Sequence, residues 1–210
     1  EEEYIDESPL AKVKNVKEPR VIINTFTLTD IKKMLDYYSG ADYLSVRNRA
    51  ILAALFDSGI RCAELMSLTD DKVREDYMLI HGKGDKERRL QIGNPPVISI
   101  LNKYEVDFHS EIMNCNHFFA NQSGRSLTDQ TVRRMINKYT ALAAIDLHIT
   151  PHMFRHTFAT SLLEADVDIR YIQEMLGHSS INITEIYTHV ALAKQRSILA
   201  TKHPRNNFNI

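Results

Sequence analysis

The chain has 210 residues, 43% hydrophobic and 25% charged, with nine His, two Cys, no Trp and a formal net charge of −1 at pH 7. That is the make-up of one soluble globular domain, with or without a small appendage, and it excludes a disordered chain. Two Cys, at 62 and 115, exclude a disulfide framework or a Cys-built zinc site, and an apolar run no longer than Ala50 to Phe56 excludes a spanning helix, which needs about 20 residues. The start, EEEYIDE, is acidic where a secretory leader is basic and then apolar, so a reducing cytoplasm is the expected location. The lack of an initiator Met reads as a fragment of a longer protein. The near-zero charge is neutral on a nucleic-acid partner. Five acids crowd into residues 1–9, no acid follows Glu185, and Arg125, Arg133, Arg134 and Lys138 face only Asp129 in segment 125–138.

Residues 1–26 hold Pro9 and Pro19, show no period and read as a linker from a missing N-terminal DNA-binding domain. Thr29 is expected to cap a helix carrying Ile31, Met34, Leu35 and Tyr38 at helical spacing. Residues 45–57 form a strongly apolar helix that Gly59 ends, and RCAELMSL opens a short one at Arg61. The segment DYMLIHGKGDKERRLQIG has apolar runs on both sides of Gly82-Lys83-Gly84-Asp85, the pattern of a β-hairpin. Pro95 and Pro96 start a helix that runs to about 108, HFFA at 117–120 adds a third short strand, and Thr128 to Ala144 is an amphipathic helix. Three more helices follow. Thr150 caps the first, with Pro151 at its opening position. The second spans Asp168 to Leu176 and ends at Gly177, and the third begins near Ser180 and contains Tyr187. A last helix at 191–200 precedes a polar tail, 201–210. The fold class predicted is mainly α with a small antiparallel β-sheet.

Chemistry concentrates in a few segments. In PHMFRHTFAT, His152, Arg155, His156 and Ala159 share one helix face and Phe154, Phe158 and Leu162 another. Three readings compete: a solvated face, a metal site on the i,i+4 histidines, or a phosphate site. The metal reading lacks the Glu of His-Glu-x-x-His and places Arg155 where it repels a cation. The phosphate reading suits a guanidinium fork beside an imidazole. In LGHSSINITEIYTHV, Gly177 ends a helix, so His178 sits in a turn, and Tyr187 lies on a helix beside Ile183, Ile186 and Val190. Taken alone, Tyr187 reads as core or rim and Lys83 as a solvated turn lysine.

GIRCAEL, GKGDKER, HMFRH, LGH and IYTH occur in that order, and together they resemble the tyrosine recombinase (phage integrase) family over roughly residues 28–192. The resemblance implies a catalytic domain, residues 27–200, that cleaves and rejoins DNA strands through a 3′-phosphotyrosine. It implies six catalytic residues: Arg61, Lys83, His152, Arg155, His178 and Tyr187, the last as nucleophile. Arg61 and Arg155, with His178, neutralise the phosphate and its transition state. His152 is the candidate for moving the tyrosine proton, Lys83 the candidate acid for the leaving 5′-oxygen. Neither cofactor nor metal is implied, and Glu64 reads as a brace for an arginine or its helix. The partner implied is a double-stranded DNA recombination site, with a tetramer in the synapse, a monomer or weak dimer alone, and no membrane. The setting implied is the bacterial cytoplasm, at the nucleoid, on a mobile element or the chromosome. The competing classes are a DNA-binding regulator that has lost activity, against which the complete residue set speaks, and a topoisomerase of the same chemistry, which wants a larger clamp.

Overall fold

The computed structural model describes residues 25–37, 40–81, 87–109, 112 and 115–177. Helix α1 (Leu28–Tyr37) is capped at Thr27, two residues before the expected Thr29. The Thr27 hydroxyl accepts from the Asp30 N–H, and the Thr27 N–H donates back to the Asp30 carboxylate at 3.0 Å, a reciprocal capping box. Asp42 caps α2 (Tyr43–Ser58) by accepting from the N–H groups of Leu44 and Ser45, so this helix too starts two residues earlier than its apolar pattern suggests. Residues Ala50–Leu55 are buried on all sides, which makes α2 the centre of the fold. It ends at Gly59, whose φ is +60°. A Cβ there would stand 2.6 Å from Cδ1 of Phe158 and 2.8 Å from Cδ2 of Leu176, so both the backbone and the space require glycine.

Helix α3 (Cys62–Met66) follows, then a 3-10 turn at Asp70–Lys72. The hairpin pairs β1 (Tyr77–His81) with β2 (Glu87–Gln91), Met78 opposite Leu90 and Ile80 opposite Arg88. Met78, Ile80 and Leu90 point into the core. The turn between the strands lies outside the described residues. Helix α4 (Pro95–Asp107) buries Val97, Leu101 and Tyr104. The expected strand at 117–120 is not one: only isolated bridges occur there, Thr69 with His117 and Ala120 with Ser126. Phe118 and Phe119 are both buried, whereas a strand would send neighbouring side chains to opposite faces. They join an aromatic cluster in which Tyr104 stacks on Phe119 at 5.4 Å between centroids.

Thr128 caps α5 (Asp129–Leu142) and Thr150 caps α6 (Pro151–Glu164), each hydroxyl accepting from the N–H three residues on. Asp168 caps α7 (Ile169–Leu176), which ends at Gly177 with φ +69°. Helix α2 packs against α4 and α6, α3 against α5, and α6 against α7. Among the described residues the architecture is mainly helical with one two-stranded antiparallel sheet, as the sequence implies. No helix among the described residues is long and apolar enough to cross a membrane. The helices expected near Ser180 and at 191–200, and residues 1–24 of the linker expected over 1–26, lie outside the described residues.

Candidate functional site

Helix α6 is buried over most of its surface, and that removes the solvated-face reading of Arg155 and His156. Arg155 is 2% exposed and His156 7%. Arg155 sits deep because two carbonyls receive it: its Nη1 donates to the Gly59 oxygen at 2.7 Å and its Nη2 to the Leu176 oxygen at 2.6 Å. Both acceptors lie at helix C-termini, where aligned peptide dipoles leave partial negative charge that favours a cation. Burial pushes the Arg155 guanidinium down to about 10, and the nearby Arg61 charge pushes the same way while Glu64 opposes it. It therefore remains a cation at neutral pH. Its Nε is buried with no hydrogen-bond partner among the described residues.

Arg61 is the residue that leads into α3. Its backbone N–H donates to the Glu64 carboxylate at 3.0 Å and its Nη1 to the other carboxylate oxygen at 2.7 Å. Arg88, on β2, takes the same carboxylate with both ends of its fork, at 3.1 and 2.9 Å. Burial acts to raise the Glu64 carboxyl, but the hydrogen bonds from Arg88 and then Arg61 outweigh it and hold it below its ordinary range. Glu64 is thus a brace shared by two arginines. With the Arg155 charge nearby, three guanidiniums stand against one carboxylate, and the surplus charge is positive.

His152 lies in the first turn of α6 with its ring exposed. Partial desolvation, then the charges of Arg155, Arg133 and Arg61, hold its pKa below the ordinary 6.5, so the neutral imidazole predominates at neutral pH. The Cys62 thiol is buried, and burial followed by its hydrogen bond to Asp129 raises its pKa, which makes it an inert packing group. Among the described residues no three His, Cys, Asp or Glu side chains are placed to hold a metal ion.

Of the six expected site residues, Arg61, His152 and Arg155 fall in one electrostatic neighbourhood. Lys83, His178 and Tyr187 lie outside the described residues. Two contributors were missed in the sequence, Arg88 and Arg133. Arg88 stands inside GKGDKER, and its signal was the alternation Arg88, Leu90, Ile92, which places a charge on the inward face of a strand. Arg133 was visible only as one of several bases in segment 125–138. It pairs with Asp129 one turn earlier, and its charge reaches His152.

Comparison with known proteins gives one consistent neighbourhood. The model described as "Phage integrase family" matches residues 24–194. A tyrosine recombinase of Agathobacter rectalis is 65% identical over 167 residues, which is 79% of this chain and 55% of that protein. The tyrosine recombinase XerD of Halalkalibacterium halodurans is 35% identical over 97% of this chain and 70% of its own length. Among solved structures, the XerA recombinase superposes with a TM-score of 0.75 at 30% identity, covering 89% of this chain and 68% of that one. The XerH site-specific recombinase, in a post-cleavage complex with its palindromic difH substrate, gives 0.75 at 26% identity, covering 95% and 59%. The chain spans just over half the length of the Agathobacter relative.

Proposed function

The chain belongs to the phage integrase family, and from that premise we propose that it is the catalytic part of a site-specific recombinase that cleaves and rejoins double-stranded DNA through Tyr187. The observation that carries this reading is the state of Arg155: a desolvated cation held by two carbonyl dipoles, with an Nε that no described residue receives. A buried charge of this kind needs an anion to complete it. A phosphodiester supplies one, and Arg61 and Arg155 then stabilise the extra charge of a five-coordinate transition state. The Tyr187 oxygen bonds to phosphorus as the bond to the 5′-oxygen breaks. The phenolic proton passes to neutral His152, and Lys83 protonates the leaving oxygen. His178 adds a donor to the phosphate. A 5′-hydroxyl of another strand reverses these steps to rejoin the DNA. Residues 27–200 constitute the catalytic domain, with 1–26 linking it to further DNA-binding structure. Two duplexes present four strands, one per tyrosine, so four chains assemble in the synapse while the chain alone is a monomer or weak dimer. The reaction takes place on DNA in the cytoplasm.

The test is a nicked half-site DNA that traps the intermediate. A protein–DNA adduct that survives denaturant supports the reading, and an intact DNA-binding chain that forms none supports the inactive-regulator alternative. The adduct should form at an unchanged rate in excess EDTA, because every step is assigned to a side chain. Loss of activity in EDTA, restored by zinc, would revive the histidine–metal reading.

His152 gives a pH signature. As a base it works only when neutral, so the rate of adduct formation at subsaturating DNA should fall as pH drops through its lowered pKa, with a midpoint below 6.5. Arg133→Gln removes a neighbouring cation and should move that midpoint upward. A midpoint that does not respond to Arg133→Gln would assign the acid limb to another group.

A further inference from the structure

We propose that Arg88 is a positioning residue of this centre, tying the hairpin to both Arg61 and the end of α7; the proposal rests on the recombinase reading above. Its guanidinium spans the two oxygens of Glu64, at 3.1 and 2.9 Å, and only 16% of its side chain is exposed. Glu64 in turn holds Arg61 by its backbone N–H and by its guanidinium. Arg88 therefore fixes the carboxylate that aims Arg61.

The other flank of Arg88 lies against Gly177. A Cβ at that glycine would stand 3.1 Å from Cδ, Nε and Cζ of Arg88, so the stem and guanidinium rest directly on the backbone that ends α7. This is the segment whose Leu176 oxygen holds Arg155, and it leads directly into His178. One side chain thus touches the support of Arg61 on one side and that of Arg155 on the other. Arg88 is the second residue of β2, after Glu87, close to the segment that carries Lys83. Both ends of its fork are turned to the Glu64 carboxylate, so in this arrangement it holds the carboxylate that holds Arg61. That makes it a support for the reacting groups and not one of them.

A buried ion pair alone is a weak stability argument, so the test has to be kinetic. Single-turnover adduct formation on nicked DNA, DNA affinity and melting temperature would be measured for the full chain. Arg88→Ala should slow adduct formation between about 10- and 100-fold, the scale of a catalytic group displaced by about 1 Å, with DNA affinity within about threefold of the parent. Arg88→Lys should recover at most about a tenth of the lost rate, because one ammonium cannot span both carboxylate oxygens. Arg88→Lys keeps the stem and the charge, and it carries the test if the Ala variant does not fold. In an Arg61→Ala background, Arg88→Ala should cost less than about threefold more, since residues acting as one unit are not additive.

Three results would overturn the assignment: an unchanged rate, a loss of affinity as large as the loss of rate, or the same factor lost with and without Arg61. A parent chain that binds DNA but forms no adduct removes the recombinase reading and this proposal with it. A reactive parent with an indifferent Arg88 removes only the proposal.

Discussion

Tyr187→Phe should abolish the covalent protein–DNA adduct while the melting temperature and DNA affinity stay close to those of the parent. The substitution keeps the aromatic ring and deletes only the oxygen to which the attack on phosphorus is assigned. A substitute nucleophile would have to stand in line with the leaving 5′-oxygen, and a misplacement of about 1 Å already costs about 100-fold. A denaturing gel of nicked half-site DNA reads the adduct, and a thermal melt reads the fold. An adduct that persists in the Phe variant would transfer the nucleophile to another tyrosine. Exposed Tyr171 on α7 would be the first to test.

Arg155→Ala should lower cleavage by more than about 100-fold, as expected for loss of a charge-assisted donor aimed at the transition state. It should also weaken the fold, unlike Arg61→Ala. Arg155 is buried and bonds two helix-terminal carbonyls, so its removal leaves the Gly59 and Leu176 oxygens unpaired beside a cavity. We expect a loss of about 2 kcal/mol, net of the relief from no longer burying a cation. Arg61 is more exposed and shares its carboxylate with Arg88, so its removal should cost about 1 kcal/mol or less. Arg155→Lys should rescue neither property, since one ammonium cannot reach both carbonyls and a phosphate. Single-turnover rates and chemical denaturation decide it, and a Lys variant with near-parental rate and stability would contradict the account.

Much of this arrangement was legible in the residues, for physical reasons. Pro151 after Thr150, and Gly after Ser58 and Leu176, fix helix ends through constraints that act locally, so those ends were found. The start of α1 was misplaced because two threonines compete, and the deciding partner is Asp30, three residues after Thr27. HFFA looked like a strand because aromatics favour pleated surfaces, but both Phe side chains found the same interior against Tyr104, and packing overrode propensity. The pairing of Arg88 with Glu64 was not legible. It crosses 24 residues, and nothing local distinguishes an inward arginine with a waiting carboxylate from one on an edge strand.

The two carbonyls that hold Arg155 have a consequence for the life of the molecule before it is finished. They lie 96 residues before it and 21 after it in the chain. A chain still emerging from the ribosome has made Gly59 and Arg155 before it has made Leu176, the last part of the cradle. Contacts this distant form only when the separate helices have docked, so a half-assembled molecule carries the ingredients of a DNA-cutting centre without the centre. The same linkage runs in reverse. An anion that completes Arg155 is lost when any one of the three segments detaches, so DNA in the site should protect the whole domain against heat and proteases and not only the residues it touches. On the recombinase reading, cutting DNA therefore requires that all three segments have docked.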